Sequence, residues 1–513
     1  MRSMRDSIRW CAAVHGEKIA IVDGDRRVTY QQLYRRVNRL ANAFLDMGLK
    51  EGDRCSVLLS NCSEYIEIYL ALASTGIAAV PLNFRLVGTE LAYIINNSDS
   101  KALILGSQFL EEVKGIIDKL EHISSDRIIL VGGEGHSGMK EYEEVLAESS
   151  DKEIDLDIDL NGCFFQGYTA GTTGLPKGCV NSHAGFVEHH KRMLIIMKVN
   201  TNDIQLVPAP LFHEAPTLFS LMQIFMGGTL VITGNPTPEE ILSLIQQEKV
   251  TNVFMVPTMY QTLVEFPERN SYDVSSVRAV ISGGAPMLKE IKASVIEYFK
   301  TAGLNEFYGA TEMGLVANLY PHEQKDRPRS VGKPVPGWEV KLLDDNGQEV
   351  PVGSAGEIYM KGPRLLKEYY KLPEVTATAT RGDYFTLNDV GKFDEQGYLF
   401  IVDRVNDMII SGGENIYPIE IEEVIAQHSA VRQVVVIGIP DQKWGQSVKA
   451  VVVLKEGQTA SDEEIRQFCT GKLAGYKIPK SVDFRESMPL STFGKILKRE
   501  VRDEYWKNSD RKF

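Results

Sequence analysis

At 513 residues the chain exceeds one compact core and suggests about three structural units. Its 56 basic and 69 acidic residues give a formal charge of −13, which repels phosphate backbones and argues against a nucleic-acid-coating role. Six cysteines (Cys11, Cys55, Cys62, Cys163, Cys179 and Cys469) form no C-x-x-C pair, so a zinc site or disulfide framework is not expected and a reducing cytoplasm is.

The first residues, Met1 to Trp10, interleave charges where a secretory signal needs an apolar run. The most apolar stretch, 65–80, is interrupted by Glu67 and Ser74-Thr75-Gly76 and falls short of the ~20 apolar residues a bilayer requires, so no integral membrane association is expected. From Ser56 onward short apolar runs alternate with amphipathic segments. Ser56–Leu59, Ala78–Leu82, Ala102–Leu105 and Ile128–Val131 read as strands, with a helix over 108–120 between the last two. A second series holds Thr229–Ile232, Val253–Val256 and Ala279–Ile281. Between its first two members, Thr237-Pro238-Glu239-Glu240 carries a capping-box helix start. Such alternation predicts βαβ units and largely parallel sheets buried on both faces.

After about residue 335 the chain turns β-rich, with Gly and Asp turns such as Asp344-Asp345-Asn346-Gly347. Beyond Arg404, Gln433–Ile439 and Val448–Leu454 alternate like strands. Ser461 with Glu464 starts a helix expected to end near Gly475. The predicted fold is α/β: a large N-terminal domain over 1–404 with two βα-type sheets and a β-rich subdomain, then a small mobile α+β domain over 405–513.

The most informative stretch runs from Tyr168 through Thr169, Ala170, Gly171, Thr172, Thr173 and Gly174 to Lys177-Gly178. Glycines let backbone N–H groups approach an anion, hydroxyls donate to it, and the lysine adds charge, so the pattern suits a polyphosphate. It is not a Walker A loop, whose glycine spacing fails here. Gly133 to Gly138 satisfies G-x-G-x-x-G, but the helix expected after it, 141–148, is short and acidic. A surface loop is therefore preferred to a dinucleotide fingerprint. The second strong element is Phe307-Tyr308-Gly309-Ala310-Thr311-Glu312. Its aromatic can stack on a base, its threonine can donate to phosphate, and its glutamate can hold Mg²⁺. Third come Asp389 and Arg404, a carboxylate for ribose hydroxyls and a guanidinium for ribose or phosphate oxygens. Last, Gly494-Lys495 places a glycine-flanked lysine near the C-terminus.

Together these motifs resemble the adenylate-forming superfamily of acyl- and aryl-CoA synthetases, amino-acid adenylation domains and luciferases, over nearly the whole chain from Thr29 to Lys495. The resemblance implies an ATP- and Mg²⁺-dependent ligase that joins a small carboxylic acid to coenzyme A through an acyl-adenylate. It implies that Thr169, Gly171, Thr172, Thr173 and Lys177 grip the phosphates. Tyr308 would stack on adenine, with Glu306, Phe307, Gly309 and Thr311 around it and Ser282-Gly283-Gly284-Ala285-Pro286 on the other side. Asp389 and Arg404 would hold ribose, Glu312 would hold Mg²⁺, and Lys495 would bridge the carboxylate and the α-phosphate. A small C-terminal domain would rotate between half-reactions about a hinge at Asn406. The stretches Asn406–Pro418 and Lys443–Val448 look most like the 4-halobenzoate-CoA ligase group, which implies CoA contacts from Ser411, Gly412, Gly413, Trp444 and Tyr476. Trp444 reads equally well as a packed core residue. Three positions depart from the family: Ala170 for serine, Thr386-Leu387-Asn388 ahead of Asp389 for His-Thr-Gly, and Asn406 for Asp or Lys.

Leu211-Phe212-His213-Glu214 matches the family's gate segment, with His213 expected near the carboxylate and the thiol path. Glu214 either finds an internal partner, the favoured reading because a buried unpaired carboxylate is costly, or meets a hydroxylated or cationic substrate such as an amino or quaternary-ammonium acid. A further alternative, a non-catalytic nucleotide-binding relative, is motivated by Ala170 and Asn406. The acid's identity and the oligomeric state are left open.

Overall fold

The computed structural model describes residues 1–133, 138–169, 175–285, 287–404, 407–411, 414–441, 444–490 and 496–507. The chain forms two compact units. The first comprises Met1–Pro328, Pro334–Trp338 and Lys361–Arg381; the second comprises Arg329–Lys333, Glu339–Met360 and Gly382–Phe513.

The first unit holds two large sheets. In one, the strands Arg54–Leu58, Ala78–Pro81, Ser100–Gly106, Ile128–Val131 and Cys163–Thr169 run parallel, as the apolar runs predict. Lys177–Ser182 turns back antiparallel against Cys163–Thr169, and Glu368–Tyr369 pairs beyond it. The other sheet runs Gly314–Leu319, Gly303–Ala310, Ala279–Gly283, Asn252–Met255, Ile204–Val207, Thr229–Ile232, Ile19–Asp23 and Arg26–Thr29. Its central strands are parallel and fully buried because Val, Ile, Leu and Phe line both faces.

Local sequence signals set most helix starts. Thr237 caps the helix Pro238–Glu248, its hydroxyl accepting from Glu240 N at 3.2 Å while the Glu240 carboxylate returns to Thr237 N at 2.7 Å. The helix expected over 108–120 is broken instead into Ser107–Phe109, Leu110–Lys114 and Ile117–Lys119. Gly115, a poor helix former, lies at the break, and Val113, Ile116 and Leu120 are buried on either side of it.

Ser63–Thr75 is buried on nearly every side. Its Glu67 carboxylate, fully buried, accepts from Arg36 Nε at 2.7 Å and from Tyr142 Oη at 2.8 Å. Tyr142 opens the seven-residue helix Tyr142–Glu148, which is thereby committed to packing; residues 134–137 of the preceding glycine-rich stretch lie outside the described residues.

The helix His183–Met197 starts on a buried imidazole. Burial pulls the His183 pKa down to about 4, a fall the nearby Asp159 carboxylate only partly opposes. A base whose folded pKa lies below its unfolded value keeps its stabilisation above the unfolded pKa and loses it as pH falls through the window beneath. Between pH ~6.5 and about 4, protonation of this one side chain is expected to cost up to about 1.4 kcal/mol per pH unit. Unfolding free energies measured at several pH values for wild type and His183→Gln check this. The acid limb should be shallower in the variant, and identical limbs would refute the assignment.

In the second unit, Glu339–Leu343, Gly356–Lys361, Tyr384–Phe393 and Leu399–Arg404 belong to one twisted sheet. Glu414–Ile416, Ile409–Ser411, Gly445–Leu454 and Val431–Asp441 form another, extended by Ser481–Arg485. Ile421, Ile425, Val436, Val452 and Ile465 fill its core. Ser461 caps as expected, its hydroxyl accepting from Glu464 N at 3.2 Å, but the helix ends at Cys469 rather than near 475. Cys469 is buried there, and Gly471 at φ 75° turns the chain away.

Candidate active site

In the first unit the motifs lie at the carboxyl ends of parallel strands, where open α/β sheets bind ligands. Cys163–Thr169 leads into the glycine-rich stretch, and Thr169 pairs with Lys177 on its far side. Ala279–Gly283 ends at Gly284, whose φ of 84° suits only glycine well, and Gly303–Ala310 ends on Tyr308-Gly309. Ile204–Val207 runs out into the gate segment ending at His213.

Two sheets contribute, and side chains join them. Asn181 Nδ2, on the hairpin's second strand, donates to Thr311 O at 3.1 Å. A Cβ at Gly167 would lie 3.0 Å from Thr311 Cγ2, so glycine sets how closely hairpin and motif approach. Gly309 is fixed more strictly: a Cβ would come 2.0 Å from Gly314 O inside the hairpin that follows.

Glu312 is buried at 5% exposure, with Oε1 accepting from Tyr369 Oη at 2.9 Å and its backbone oxygen accepting from Leu366 N at 2.6 Å. The Lys177 ammonium lies 4.3 Å over the Tyr369 ring. Lysine, tyrosine and glutamate thus form one connected series beside the loop. Among the described residues no three His, Cys, Asp or Glu side chains cluster to hold a metal. A lone carboxylate suits Mg²⁺ carried by phosphates, because that ion keeps waters and takes only one or two protein carboxylates.

The gate segment is pinned from both sides. Leu211 N donates to Asn61 Oδ1 at 2.7 Å, and Leu211 O accepts from Tyr69 Oη at 2.9 Å and Thr217 Oγ1 at 2.6 Å. His213 then caps the helix Glu214–Met226 without a side-chain cap bond. Burial, with the Arg85 charge added, holds its imidazole pKa well below the usual value, so it is neutral at pH 7.

Glu214 has the internal partner that was favoured for it. Its Oε1 bonds to Arg364 Nη2, and the Arg364 Nη1 bonds to Asn181 Oδ1. Arg364 is only 2% exposed, and its guanidinium sits 4.3 Å over the Phe186 ring. A substrate amine would have to displace that arginine, so the structure gives the ammonium-acid alternative no support.

Several expected nucleotide contacts look different in three dimensions. Glu306 pairs with Lys292 at 2.5 Å, and the Phe307 ring packs tilted against Phe219 and Phe254. Their side chains are therefore engaged with protein partners. Tyr308, Ala285 and Thr311 remain partly exposed. In the second unit, buried Asp389 stands directly across the ladder from Arg404. Asn388 beside it takes a left-handed φ of 61°, a conformation asparagine tolerates. Trp444 is 46% exposed, which removes the packed-core reading, and Tyr476 is equally exposed. Ser411 pairs with Gly445, next to Trp444. Ala170, Gly171, Thr172, Thr173, Pro286, Asn406, Gly412, Gly413 and Lys495, with the Arg404 side chain, lie outside the described residues.

The residues the sequence did not single out are Asn61, Tyr69, Asn181, Arg364 and Tyr369. Each works through a partner between 57 and 183 positions away, so no local pattern marks it.

The family model described as "AMP-binding enzyme" matches residues 8–370, and that of the "AMP-binding enzyme C-terminal domain" matches 420–495. A feruloyl-CoA synthase from Amycolatopsis sp is 36% identical over 489 residues, covering 95% of this chain and 96% of that protein. The anthranilate CoA ligase AuaEII, solved with anthranoyl-AMP, superposes with a TM-score of 0.92 at 25% identity, covering 99% of this chain and 98% of that one. ATP-bound MatB from Rhodopseudomonas palustris gives 0.90 at 28% identity, covering 99% and 100%.

Proposed function

The chain belongs to the AMP-binding enzyme family and is an AMP-forming acid–thiol ligase, an ATP-dependent acyl-CoA synthetase; from that premise we propose that the acid it activates is an aryl acid. Two similar proteins are named for aryl acids, feruloyl and anthranilate. The observation that carries the site reading is the junction at Thr311-Glu312, where the phosphate hairpin and the Tyr308 motif meet through Asn181 and Tyr369.

In the first half-reaction a substrate carboxylate oxygen attacks the α-phosphorus of ATP, an acyl–phosphate bond forms, and the bond to pyrophosphate breaks. In the second, the thiolate sulfur of coenzyme A attacks the acyl carbon and AMP departs. Thr169, Gly171, Thr172, Thr173 and Lys177 bind the phosphates, and Thr311 donates to them. Tyr308 stacks on adenine opposite Gly284, Ala285 and Pro286. Glu306, Phe307 and Gly309 contribute backbone there. Asp389 and Arg404 hold ribose. Glu312, oriented by Tyr369, would hold Mg²⁺, which supplies charge neutralisation on the phosphates when bound. Neutral His213 orients the carboxylate without competing for its charge. Residues 405–513 act as the mobile domain, with Asn406 at the hinge, and Ser411, Gly412, Gly413, Trp444 and Tyr476 receive coenzyme A. No protein nucleophile is required.

Aryl-acid-dependent exchange of pyrophosphate into ATP, followed by CoA-dependent AMP release, tests this reading. Absence of exchange with every carboxylic acid would leave only the nucleotide-binding alternative. Loss of an exposed stacking partner affects one half-reaction alone. Trp444→Ala is expected to raise the KM for coenzyme A about tenfold, the lower range of a base–aromatic stack, while pyrophosphate exchange stays near the wild-type rate. An unchanged KM would remove Trp444 from the CoA site.

A further inference from the structure

The strand Tyr384–Phe393 is irregular where it carries Asp389. On one edge Tyr359 pairs with Thr386 and Glu357 with Val390, so Leu387, Asn388 and Asp389 together face the single residue Ile358. A bulge of this kind bends the strand and re-aims the side chains it carries. On the other edge Asp389 pairs with Arg404, and the register slips again between Val390 and Gly391. The carboxylate assigned to ribose thus stands on a stretch of backbone whose course the regular ladder does not dictate. All of these residues belong to the second unit.

Two side chains and one backbone conformation set that course instead. The buried Thr386 hydroxyl donates to Glu357 Oε1 at 2.7 Å, and its oxygen accepts from Asn388 N at 2.9 Å. A hydroxyl has one proton to give, so the bond to Glu357 leaves the lone pairs of Thr386 to take the amide of the bulge. Tyr359 Oη donates to the other oxygen of Glu357 at 3.4 Å. The turn closed by Thr386 carries Asn388 to φ 61°, a left-handed conformation that glycine and asparagine adopt and that strains a β-branched residue. The Asn388 side chain is exposed, so core packing does not account for an asparagine there. Asparagine stands here where the family pattern has glycine, and it keeps the left-handed conformation open.

We propose that Thr386, braced by Glu357, and Asn388 are positioning residues that fix the backbone of Asp389, and that the enzyme's selectivity for the ribose hydroxyls of ATP depends on them. The inference rests on the reading of Asp389 as the ribose carboxylate and adds what holds that carboxylate in place.

The test measures dissociation constants by calorimetry on the full-length enzyme with Mg²⁺, so the outcome does not depend on which acid is turned over. ATP, 2′-deoxy-ATP and 3′-deoxy-ATP are the ligands. Wild type should bind ATP about ten- to hundredfold more tightly than the deoxynucleotide it disfavours most, the span of hydrogen bonds to a charged group. Thr386→Val, of similar shape, should cut that selectivity at least about fivefold. The cut should come through weaker ATP binding alone, with the deoxynucleotide held within about twofold of its wild-type value. Thr386→Ser keeps the hydroxyl and Asn388→Gly keeps the backbone conformation, so both should retain wild-type selectivity. Asn388→Val should behave like Thr386→Val, and its exposed position makes it the variant to read if Thr386→Val does not fold. A merely structural role would weaken all three nucleotides alike. That result, or unchanged selectivity in Thr386→Val and Asn388→Val, overturns the proposal and leaves the ribose reading intact. A wild type without selectivity, or an Asp389→Ala variant that keeps it, overturns the ribose reading itself and the proposal with it.

Discussion

Lys495→Ala is expected to slow acyl-adenylate formation by about 10²–10³-fold, the usual consequence of removing one group aimed at developing phosphoryl charge. In the first half-reaction negative charge builds on the α-phosphate as the carboxylate approaches. A lysine bridging both oxygens stabilises that state more than the separated reactants, so the effect falls on kcat. The residues flanking the 491–495 stretch are anchored: Leu490 pairs with Ile496, Leu497 N donates to Pro489 O at 2.9 Å, and Ile496 packs on Val435, Ile437 and Val453. Truncating Lys495 to alanine leaves these anchors in place and should not unfold the domain. The second half-reaction needs no such bridge, because the phosphoryl bond is already made. Acyl-AMP supplied from outside should therefore still be converted to acyl-CoA at close to the wild-type rate. Pyrophosphate exchange and thioester formation measured separately decide the matter, and equal loss of both would falsify the role.

Arg364→Met is expected to destabilise the first unit by about 3–5 kcal/mol, because it strands the Glu214 carboxylate in the interior without its partner. The guanidinium also bonds to Asn181 and stacks on Phe186, so its loss removes a brace shared by the phosphate hairpin and the start of the Glu214–Met226 helix. Replacing both partners, Arg364→Met with Glu214→Leu, should recover most of that loss, since two apolar side chains of similar volume carry no desolvation penalty. Denaturant unfolding of wild type, the two single variants and the double variant measures the cycle. A double variant no more stable than Arg364→Met would show that the pair's charges are not what holds the region.

The elements that read directly from the sequence are those governed by neighbours in the chain. Apolar runs such as Ala102–Leu105 and Val253–Val256 fall on buried parallel strands because a strand covered on both faces has no polar side to show. Thr237 and Ser461 cap as expected because capping spans three residues. Helix ends were less legible. The 108–120 segment breaks at Gly115, and the Ser461-capped helix stops at Cys469 with Gly471 at positive φ just beyond, because glycine ends a helix wherever packing does not carry it on.

The candidate site divides along the same line. The sequence by itself carried the resemblance that places the chain in its family and implies the ligase chemistry, because the motifs behind it are short and local. Only the tertiary structure decided that Glu214 answers to Arg364, that Glu306 pairs with Lys292, that Phe307 packs among Phe219 and Phe254, and that Trp444 is exposed. The physical reason is that a buried charge or donor is defined by its partner, and these partners are joined only when separate sheets and helices pack.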